Sequence, residues 1–238
     1  MKISQRLIKE VEERLEQERR AKKPYSTKVE GKDFIVLPGV HSPKFFFGSH
    51  FCAKHVPKYV TRGGNFLEIG SGTGVVSCHV GIYSDPRKIV ATDIEPEAVK
   101  NTNINALLHN LEHKITARQG DLFQALCTNN RFDEIFWNMP FVYHNFGEGT
   151  FSRDVSDPRY GNIGAFICIA QGYLKPKGRL LLGFSRQWGN YQLLTALCKG
   201  YHYQEPKTLV SETYDIGNRK VPEATFELLE VKVKGESK

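Results

Sequence analysis

Short apolar runs alternate with amphipathic stretches along the chain from about residue 61 onward. The runs are typical of buried strands, and most of the stretches between them have apolar residues at helical spacing. This alternation is typical of a parallel sheet with helices on both faces. The predicted strands are 65–69, 88–93, 114–118, 132–138 and 178–185.

The helical patterns lie between these strands. The clearest is "DIEPEAVKNTNINALLHN", where Pro96 falls near a first helical turn and the acidic residues beside it favour the helix dipole. Ala98, Thr102, Asn105 and Leu108 are predicted to share one side of this helix. The predicted helices are 73–83, 95–110, 161–174 and 188–199.

The two ends of the chain have patterns of their own. Near the start, an apolar residue recurs every four positions and predicts a helix of about 3–20, with a stripe made of Ile3, Leu7, Val11 and Leu15 and with Ile8 alongside. Near the end, 224–233 alternates as an antiparallel edge strand does, and 211–224 is interpreted as a long hairpin loop. We therefore divide the chain into a basic amphipathic helix (1–30), a pre-core lid segment (31–62) and a main domain (63–238).

The composition is that of an ordinary globular protein. The length of 238 residues suits one α/β domain with an appended segment. Apolar residues make up 40% and charged residues 25%, and no apolar run approaches the roughly 18 residues of a membrane span. The first residues mix acids and bases throughout and lack an apolar core, so they do not predict a secretory signal.

The cysteines predict a reducing compartment. They are odd in number, far apart and never in a CxxC pair, which argues against a disulfide framework and a structural zinc site. We expect a cytoplasmic protein without a metal, and we interpret each cysteine as a small buried apolar residue. The five are Cys52, Cys78, Cys127, Cys168 and Cys198.

The positive charge is concentrated at the start of the chain. The net charge is +7, and residues 1–62 hold 14 Lys and Arg against 7 Asp and Glu, which leaves 19 against 19 in 63–238. A basic segment beside a neutral domain is expected if the segment contacts a polyanion such as RNA or a ribosome. A solvated helix face explains the same charges equally well.

A glycine-rich turn, "LEIGSGTG" (67–74), follows the first strand of the main domain. Ligands of open parallel sheets bind beyond the carboxyl ends of the strands, and glycines let the backbone approach a ligand closely there. A dinucleotide fingerprint that begins at Gly70 and Gly72 requires its third glycine at position 75, where this chain has Val75. No Gly-Lys-Ser/Thr follows, so the turn is not a P-loop either.

Three acidic residues lie at the ends of successive strands or one residue before. Asp93 lies about 20 residues past the glycines, where a carboxylate accepts hydrogen bonds from ribose hydroxyls. Asp121, in "GDLF", suits an exocyclic adenine amine, with the Leu122 amide directed at a ring nitrogen. Glu68 is a carboxylate in an apolar run and needs an ammonium or backbone donors. Each acid also has a structural explanation, as a cap, a turn residue and an acceptor, but together they describe S-adenosylmethionine.

The segment from about 34 to 185 resembles a class I S-adenosylmethionine-dependent methyltransferase of the "methyltransferase small" group, which includes release-factor glutamine methyltransferases and rRNA and tRNA base methyltransferases. The resemblance rests on "LPGVHSPKFFFGSH", "LEIGSGTG", "ATDIEPEAVKNTNIN", "GDLF", "FDEIFWNMPF" and "LKPKGRLLLGF". It implies a Rossmann-like, mostly parallel seven-stranded sheet with helices on both faces, preceded here by an N-terminal helical extension. The cofactor-binding residues that it implies are Glu68, Gly70, Gly72, Gly74, Asp93, Ile94, Asp121 and Leu122.

The "NMPF" stretch that follows the strand 132–138 is the most specific motif. In the family, Asn-Pro-Pro-Tyr/Phe holds a planar nitrogen against the methyl group of the cofactor. The resemblance implies that the Asn138 side-chain oxygen and the Met139 carbonyl accept the two N–H protons, that Pro140 fixes the turn, and that Phe141 stacks on the flat face. Met139 replaces the family's first proline, which keeps the carbonyl but removes one φ restraint. The alternative is a strand-ending turn over a hydrophobic cap.

The segments on either side of this motif are expected to shape the substrate entrance. By resemblance, 36–49 folds over the cofactor, and one or two of the three aromatics Phe45–Phe47 stack on substrate or adenine unless the segment simply packs on the core. The polar stretch 152–162 forms the other wall, with Arg153 and Arg159 able to meet an anionic substrate. His144 is a candidate for proton transfer or an ordinary exposed loop histidine.

The sequence therefore predicts an S-adenosylmethionine-dependent N-methyltransferase that acts on a planar amide or exocyclic amino nitrogen. An RNA base is slightly preferred because the basic excess lies on the appended segment. A protein glutamine and a small molecule remain alternatives. The rival class is a cofactor-binding partner subunit without turnover, and an NAD-dependent oxidoreductase is disfavoured by Val75.

Overall fold

The structure, a computed structural model, describes residues 5–146, 150–215 and 223–235. Each predicted helix is present, and its ends lie within four residues of the predicted positions. The helices are α1 (Gln5–Arg20), α2 (Gly48–His55), α3 (Val75–Tyr83), α4 (Pro96–Leu108), α5 (Thr150–Val155), α6 (Gly161–Ala170) and α7 (Tyr191–Gly200). Helices α2 and α5 were not predicted, and 3-10 turns follow α2 and α6.

Seven of the strands in the described residues form one sheet, in the order β5-β4-β3-β6-β7-β9-β8. The pairs from β5 through β7 are parallel, whereas β9 runs antiparallel to both of its neighbours. The predicted mostly parallel seven-stranded sheet is confirmed. The strands are β1 (Tyr25–Val29), β2 (Lys32–Val36), β3 (Asn65–Ile69), β4 (Lys88–Asp93), β5 (Ile115–Gln119), β6 (Phe132–Asn138), β7 (Leu174–Phe184), β8 (Lys207–Asp215) and β9 (Glu223–Lys232).

The order of the strands reverses at β3. From β3 the chain moves outward through β4 and β5, then returns to place β6 on the other side of β3. Such a reversal opens a crevice at the carboxyl ends of the central strands, where ligands of this fold class bind. The ends of β3, β4 and β6 therefore meet at one place, and they carry the glycine turn, Asp93 and Asn138.

The core lies on both faces of these central strands. Phe66 and Leu67 of β3, Ile135 and Phe136 of β6 and Leu181 of β7 have no exposed surface. Strands buried on both faces are apolar at nearly every position, which is why β3 and β6 have the boundaries that the sequence predicts.

The C-terminal part differs from the prediction. Strand β9 is antiparallel as predicted, but it lies inside the sheet, and β8 is the edge strand. Residues 211–215, interpreted from the sequence as loop, belong to β8: each pairs with a residue of β9, and their side chains alternate between exposed and half-buried. The polar residues of an edge strand resemble those of a loop, and the remainder of the predicted loop, 216–222, lies outside the described residues.

The N-terminal part contains a hairpin that the sequence did not predict. Strands β1 and β2 pair antiparallel and turn at Glu30 and Gly31, both with positive φ. Helix α1 ends before this hairpin and buries Val11 and Leu15 of its predicted stripe. Ile3 lies outside the described residues, as does the Leu7 side chain.

Two predictions about burial are partly wrong. Cys52, Cys78 and Cys198 are buried, but Cys127 and Cys168 are exposed, because one lies in the loop before β6 and the other on the outer side of α6. Along α4, Ala98, Thr102 and Asn105 are buried whereas Leu108 is 48% exposed. Leu108 is the last residue of α4 and lies roughly 80° from Ala98, on the opposite side from buried Ala106, so it falls beyond the edge of the buried face.

Within the described residues, no helix combines the length and the apolar character that crossing a membrane requires.

Candidate functional site

The glycine turn after β3 has a backbone that only glycine adopts easily. Gly70, Gly72 and Gly74 have φ of 64°, 52° and 75°, in the left-handed region. A Cβ at Gly74 would also lie 2.9 Å from Thr102 Cγ2, so this glycine allows the turn to press against α4. The turn then leads directly into the first turn of α3.

Helix α4 holds the glycine turn from one side. Thr102 donates through Oγ1 to the Gly72 carbonyl at 3.2 Å, and its Oγ1 lies 2.9 Å from Ser71 Oγ. Asn105 donates through Nδ2 to the Thr73 carbonyl at 2.8 Å. The turn is thus fixed by buried side chains of a helix that the sequence predicted well.

Asp93, at the end of β4, connects the turn to the start of α4. Its Oδ2 accepts the Gly72 N–H at 2.8 Å, and its Oδ1 accepts the Glu95 N–H at 3.0 Å. Burial raises the pKa of this carboxyl, against the lowering effect of the two backbone donors. Each carboxylate oxygen keeps acceptor capacity for another donor.

Glu68, in β3, is buried among apolar neighbours. Its Oε2 accepts the Ser77 N–H at 2.9 Å and the Ser77 hydroxyl, so backbone and side-chain donors supply the partner that the sequence required. Burial raises the pKa of Glu68 to about 8. A cation beside it would favour the ionised form.

A cavity of about 280 Å³, called here the large cavity, lies over these strand ends. Its volume is close to the lower end of the range of roughly 300–1,000 Å³ that is usual for small-molecule sites. Gly74 does not line it, but its positive φ and its contact with Thr102 shape the turn that does. The predicted residues that do line it are Glu68, Gly70, Gly72, Asp93, Ile94, Asp121, Leu122, Asn138 and Pro140.

Asp121 and Leu122 lie in a tight turn after β5. Leu122 has a φ of 47°, and its carbonyl accepts the Thr92 hydroxyl at 3.2 Å. A Cβ at Gly120 would lie 2.7 Å from the Ala125 amide nitrogen, so glycine is required before Asp121. The turn directs both residues to the large cavity.

Asn138 ends β6 in the wall of the large cavity. Its neighbour in register on β7 is Gly183, and a Cβ there would lie 2.6 Å from Asn138 Oδ1. The glycine therefore makes room for the amide. Among the residues that the structure describes, none forms a hydrogen bond with the Asn138 side chain, which leaves its amide available to a ligand.

A second cavity, of about 40 Å³ and called here the small cavity, adjoins the first. Asn138, His41 and Asp154 line both cavities. The rest of the small cavity is largely apolar, formed by Phe46, Phe47, Gly48, Met139, Phe141, Val142, Val155, Trp188 and Phe226, with Arg14 as the charged exception.

The "NMPF" motif divides between the two cavities. Pro140 lines the large cavity, whereas Met139 and Phe141 line the small one. The Met139 carbonyl accepts the Phe141 N–H at 2.8 Å, so one of its lone pairs is already used. The Phe141 ring is 8% exposed and packs on Phe184 at a centroid distance of 5.5 Å.

Tyr160 supports the motif from behind. Its hydroxyl donates to the Phe141 carbonyl at 2.7 Å and accepts the Asn190 N–H at 2.6 Å. Tyr160 is buried with a φ of 51°, and Asp157 accepts the amides of Gly161 and Ile163 at the start of α6. This support could not be predicted from the sequence, because a tyrosine beside a glycine indicates only a turn.

The flanking residues that the sequence analysis named differ in whether they line the cavities. Phe46 and Phe47 line the small cavity, whereas Phe45 lies outside both cavities. Arg153 lines the large cavity and forms an ion pair with Glu95 at 3.2 Å. Arg159 is exposed and lines neither cavity. His144 is half-buried, lines neither cavity, and packs its ring on Phe146.

The sequence analysis missed His41, Arg14 and Glu18. His41 lines both cavities, Arg14 of α1 lines the small cavity, and Glu18 of α1 lies 3.4 Å from His41 Nδ1. Buried acids and bases in a helix of mixed charge cannot be told from solvated ones by pattern alone. Within the described residues, no group of His, Cys, Asp and Glu has a metal-binding arrangement.

One known protein family matches most of this chain. Residues 31–208 match the model of the methyltransferase small domain. The chain belongs to the methyltransferase small domain family. The predicted class and its cofactor, S-adenosylmethionine, are thereby confirmed at the level of the family.

The relatives of this protein are named for different substrates. A release factor glutamine methyltransferase of Aquifex aeolicus is 36% identical over 82 residues, which are 34% of this chain and 29% of the relative. A tRNA1(Val) (adenine(37)-N6)-methyltransferase of Porphyromonas gingivalis is 26% identical over 164 residues, 61% of this chain and 64% of the relative. The chain thus spans less than two thirds of the length of these relatives.

A solved structure confirms the fold. Methanocaldococcus jannaschii Trm5, crystallised in complex with adenosine, aligns with a TM-score of 0.61 at 17% identity. The alignment covers 91% of this chain and 58% of Trm5. The Rossmann-like architecture that the sequence predicted therefore matches a known methyltransferase structure.

Proposed function

We propose that this protein transfers a methyl group from S-adenosylmethionine to a planar amide or exocyclic amino nitrogen. The observation that carries the proposal is the Asn138 amide, which lies in the wall common to the two cavities and has no hydrogen-bond partner among the described residues. An amide so located can hold an acceptor nitrogen at the boundary between a cofactor and a substrate.

The residues of the large cavity fit the cofactor. Asp93 keeps acceptor capacity for the ribose hydroxyls, Asp121 and the Leu122 amide suit the adenine edge, and Glu68 suits the ammonium group. Because the glycines of the turn have no side chains, the backbone of the turn borders the cavity and the space stays open to a ligand. When bound, the cofactor supplies a sulfonium methyl group that a nucleophile can take.

The residues of the small cavity fit a flat acceptor. Asn138 Oδ1 and the remaining lone pair of the Met139 carbonyl would accept the two N–H protons, and the Phe141 ring would limit the motion of the group. The lone pair of such a nitrogen is delocalised and must be aimed at the methyl carbon, so orientation contributes most of the acceleration. Acceptors that bind the N–H groups more strongly as the nitrogen becomes positive stabilise the transition state.

An RNA base is the preferred acceptor in this proposal. The excess of positive charge lies in residues 1–62, and Lys22 and Lys23 are exposed just after α1. Since α1 contributes Arg14 to the small cavity, a polyanion on this basic segment would lie near the acceptor site. The similarity to a tRNA adenine methyltransferase supports the same class of acceptor.

A glutamine side chain is the second candidate. The small cavity measures about 40 Å³, whereas an apolar cavity that accommodates benzene in another protein measures about 150 Å³. A carboxamide group is closer to this size than a complete base, of which only the amino edge would enter. The similarity to a release factor glutamine methyltransferase favours the same candidate.

The Asn138→Ala variant tests the reaction. It should bind S-adenosylmethionine nearly as well as the wild type and lose methyl transfer by about 100-fold or more, because the interaction is made with the acceptor. Calorimetry measures cofactor binding, and tritium transfer into extract from a strain lacking the protein measures activity. Asn129→Ala, in an exposed loop, is the matched control and should retain both properties.

The fraction that becomes labelled identifies the acceptor. Label in RNA supports the preferred candidate, label in protein supports the second, and label in small metabolites contradicts both. Absence of cofactor binding by the wild type, or full activity of Asn138→Ala, would refute the proposed function.

A further inference from the structure

A cluster of three ionisable side chains lies between the two cavities, outside the motif residues. His41 and Asp154 line both cavities, and Glu18 of α1 lies behind His41. The three residues come from separate parts of the chain: α1, the segment before α2, and α5. Nothing in the sequence pattern connects them, yet the fold gathers them beside Asn138.

The geometry of the cluster fixes the His41 ring. His41 Nδ1 lies 3.4 Å from Glu18 Oε1, and the ring packs on Phe46 at a centroid distance of 4.3 Å. Glu18 is 2% exposed, and its Oε1 also accepts the Ser42 N–H. Glu18 is therefore an acceptor held in place behind the imidazole.

Two buried atoms of this cluster lack a good hydrogen bond. Among the described residues, neither Glu18 Oε2 nor His41 Nδ1 forms a hydrogen bond of acceptable geometry, although Nδ1 lies 3.4 Å from Glu18 Oε1. The second ring nitrogen, His41 Nε2, also makes no hydrogen bond there, but it is not buried to the same degree, so it is the nitrogen open to the cavities. Buried polar atoms are nearly always paired, so these unpaired atoms indicate that a ligand or a proton completes the cluster.

The surrounding charges favour a protonated imidazole. Burial lowers the pKa of His41, but Glu18, Asp154 and Asp93 together outweigh burial and raise it above its ordinary value. Burial raises the pKa of Asp154 to about 7, against the lowering effect of His41. The cations on the two cavity walls are Arg14 and Arg153, and Arg153 is paired with Glu95.

We propose that His41 is a further catalytic residue of this site, which takes the proton released by the acceptor nitrogen, and that Glu18 is its positioning residue. This inference rests on the proposed function. The location of His41 on the wall shared with Asn138 brings an imidazole to the acceptor, and Glu18 stabilises the imidazolium that results.

The step balances in atoms and charge. The N–C bond forms as the S–C bond breaks, and the electron pair of the S–C bond stays on sulfur. The methylated nitrogen then carries one positive charge and an extra proton. His41 Nε2 accepts one of the two N–H protons, which leaves the Asn138 or Met139 oxygen that held it, so the nitrogen becomes neutral and the positive charge moves to the imidazolium beside Glu18.

The pH dependence of single-turnover methyl transfer tests this role. Only neutral His41 accepts a proton, so the wild-type rate should rise with pH through the pKa of His41 and then level off. His41→Gln should remove this rise and lower the plateau by about 100-fold, the lower end of the usual effect of a general base. The assay uses tritiated S-adenosylmethionine and the extract fraction that the wild type labels.

Glu18→Gln provides a second variant with a distinct expectation. Removing the negative charge lowers the pKa of His41, so the rising limb should move to lower pH by about one unit while the plateau falls. Loss of packing alone would lower the rate at every pH without changing the pH at which the rate rises. A limb that does not move in Glu18→Gln contradicts the positioning role.

His144→Gln is the matched control, because His144 follows the motif but lines neither cavity. It should keep the wild-type profile. A limb that persists in His41→Gln but disappears in Asp154→Asn would assign the titration to Asp154 and overturn the proposal for His41. Cofactor binding by each variant separates these results from misfolding, and a wild type that labels nothing refutes the proposed function and this inference with it.

Discussion

Asn138 shows how much a single position depends on its neighbours in space. Its amide has room only because β7 carries Gly183 directly beside it, where a Cβ would lie 2.6 Å from the amide oxygen. The two residues are far apart in sequence, and only the register of β6 on β7 brings them together. The motif predicted the chemistry of Asn138, whereas the space for it is a property of the sheet.

Glu68 gives a prediction about stability and pH. Its pKa is raised by burial to about 8, against roughly 4.3 in an unfolded chain. Between these values the folded protein keeps a proton that the unfolded chain has lost, so the contribution of Glu68 to stability is present at low pH and is lost as the pH rises toward 8. Glu68→Gln stays neutral, so its free energy of unfolding should rise relative to wild type between pH 5 and pH 8.

Urea denaturation of the cofactor-free proteins at pH 5 and pH 8 measures this difference. Glu112→Gln, at an exposed position, is the control and should follow the wild type. A stability difference between Glu68→Gln and wild type that is the same at both pH values would show that the folded protein does not retain the proton.

At the scale of elements, α4 connects the pre-core hairpin to the glycine turn. Asn101 accepts the Leu37 N–H and donates to the Ile35 carbonyl, each at 2.8 Å. Asn105 accepts the Ile35 N–H and donates to the carbonyls of Ile35 and Thr73, also at 2.8 Å. One helix therefore fixes both β2 and the cofactor turn through buried amides.

Asn105→Ala should lower the free energy of unfolding by about 3 kcal/mol, because three hydrogen bonds of roughly 1 kcal/mol each are lost. It should also weaken cofactor binding, since the Thr73 carbonyl is part of the glycine turn. Chemical denaturation and calorimetry measure the two effects. The control is Asn103→Ala, exposed on the same helix, which should change stability by less than about 0.5 kcal/mol. Equal effects of the two variants would show that α4 does not hold the turn.

At the scale of the whole molecule, α1 contributes both to the basic N-terminal part and to the site. It belongs to the basic N-terminal part, which suits an RNA partner, and it also contributes Arg14 to the small cavity and Glu18 to His41. Deleting it would remove part of the site together with the charge. A test of RNA binding must therefore change only exposed charges.

Replacing Lys22 and Lys23 together by Ala is such a test, since both residues are exposed. If they contact phosphates, RNA affinity should fall, and the slope of log affinity against log salt should shrink by about 1.4 to 1.8, or 0.7 to 0.9 for each lost contact. Filter binding over a range of salt concentrations measures both quantities. The matched control replaces Lys88 and Lys177, which are exposed toward the amino ends of their strands. A slope that is unchanged in the first variant, or equally reduced in the control, would contradict an RNA surface beside α1.

The sequence by itself determined the central strands of the main sheet and which of the predicted cofactor-binding residues lie at their ends. Strands such as β3 and β6 are buried on both faces and are therefore apolar at nearly every position, so their bounds can be read directly. The glycines and Asp93 follow such strands closely, so their meeting at one edge follows from parallel topology. Their roles toward the cofactor remain part of the proposal.

Only the tertiary structure decided the remaining features. The edge strand β8 and the hairpin β1–β2 have polar residues on an exposed face, and their local pattern does not distinguish them from loops. His41, Glu18 and Asp154 come together through the packing of three separate segments, which leaves no periodicity in the chain. The pattern of apolar and polar residues in a segment shows which of its faces is buried. Contacts between side chains that are distant in sequence depend on how the segments pack together.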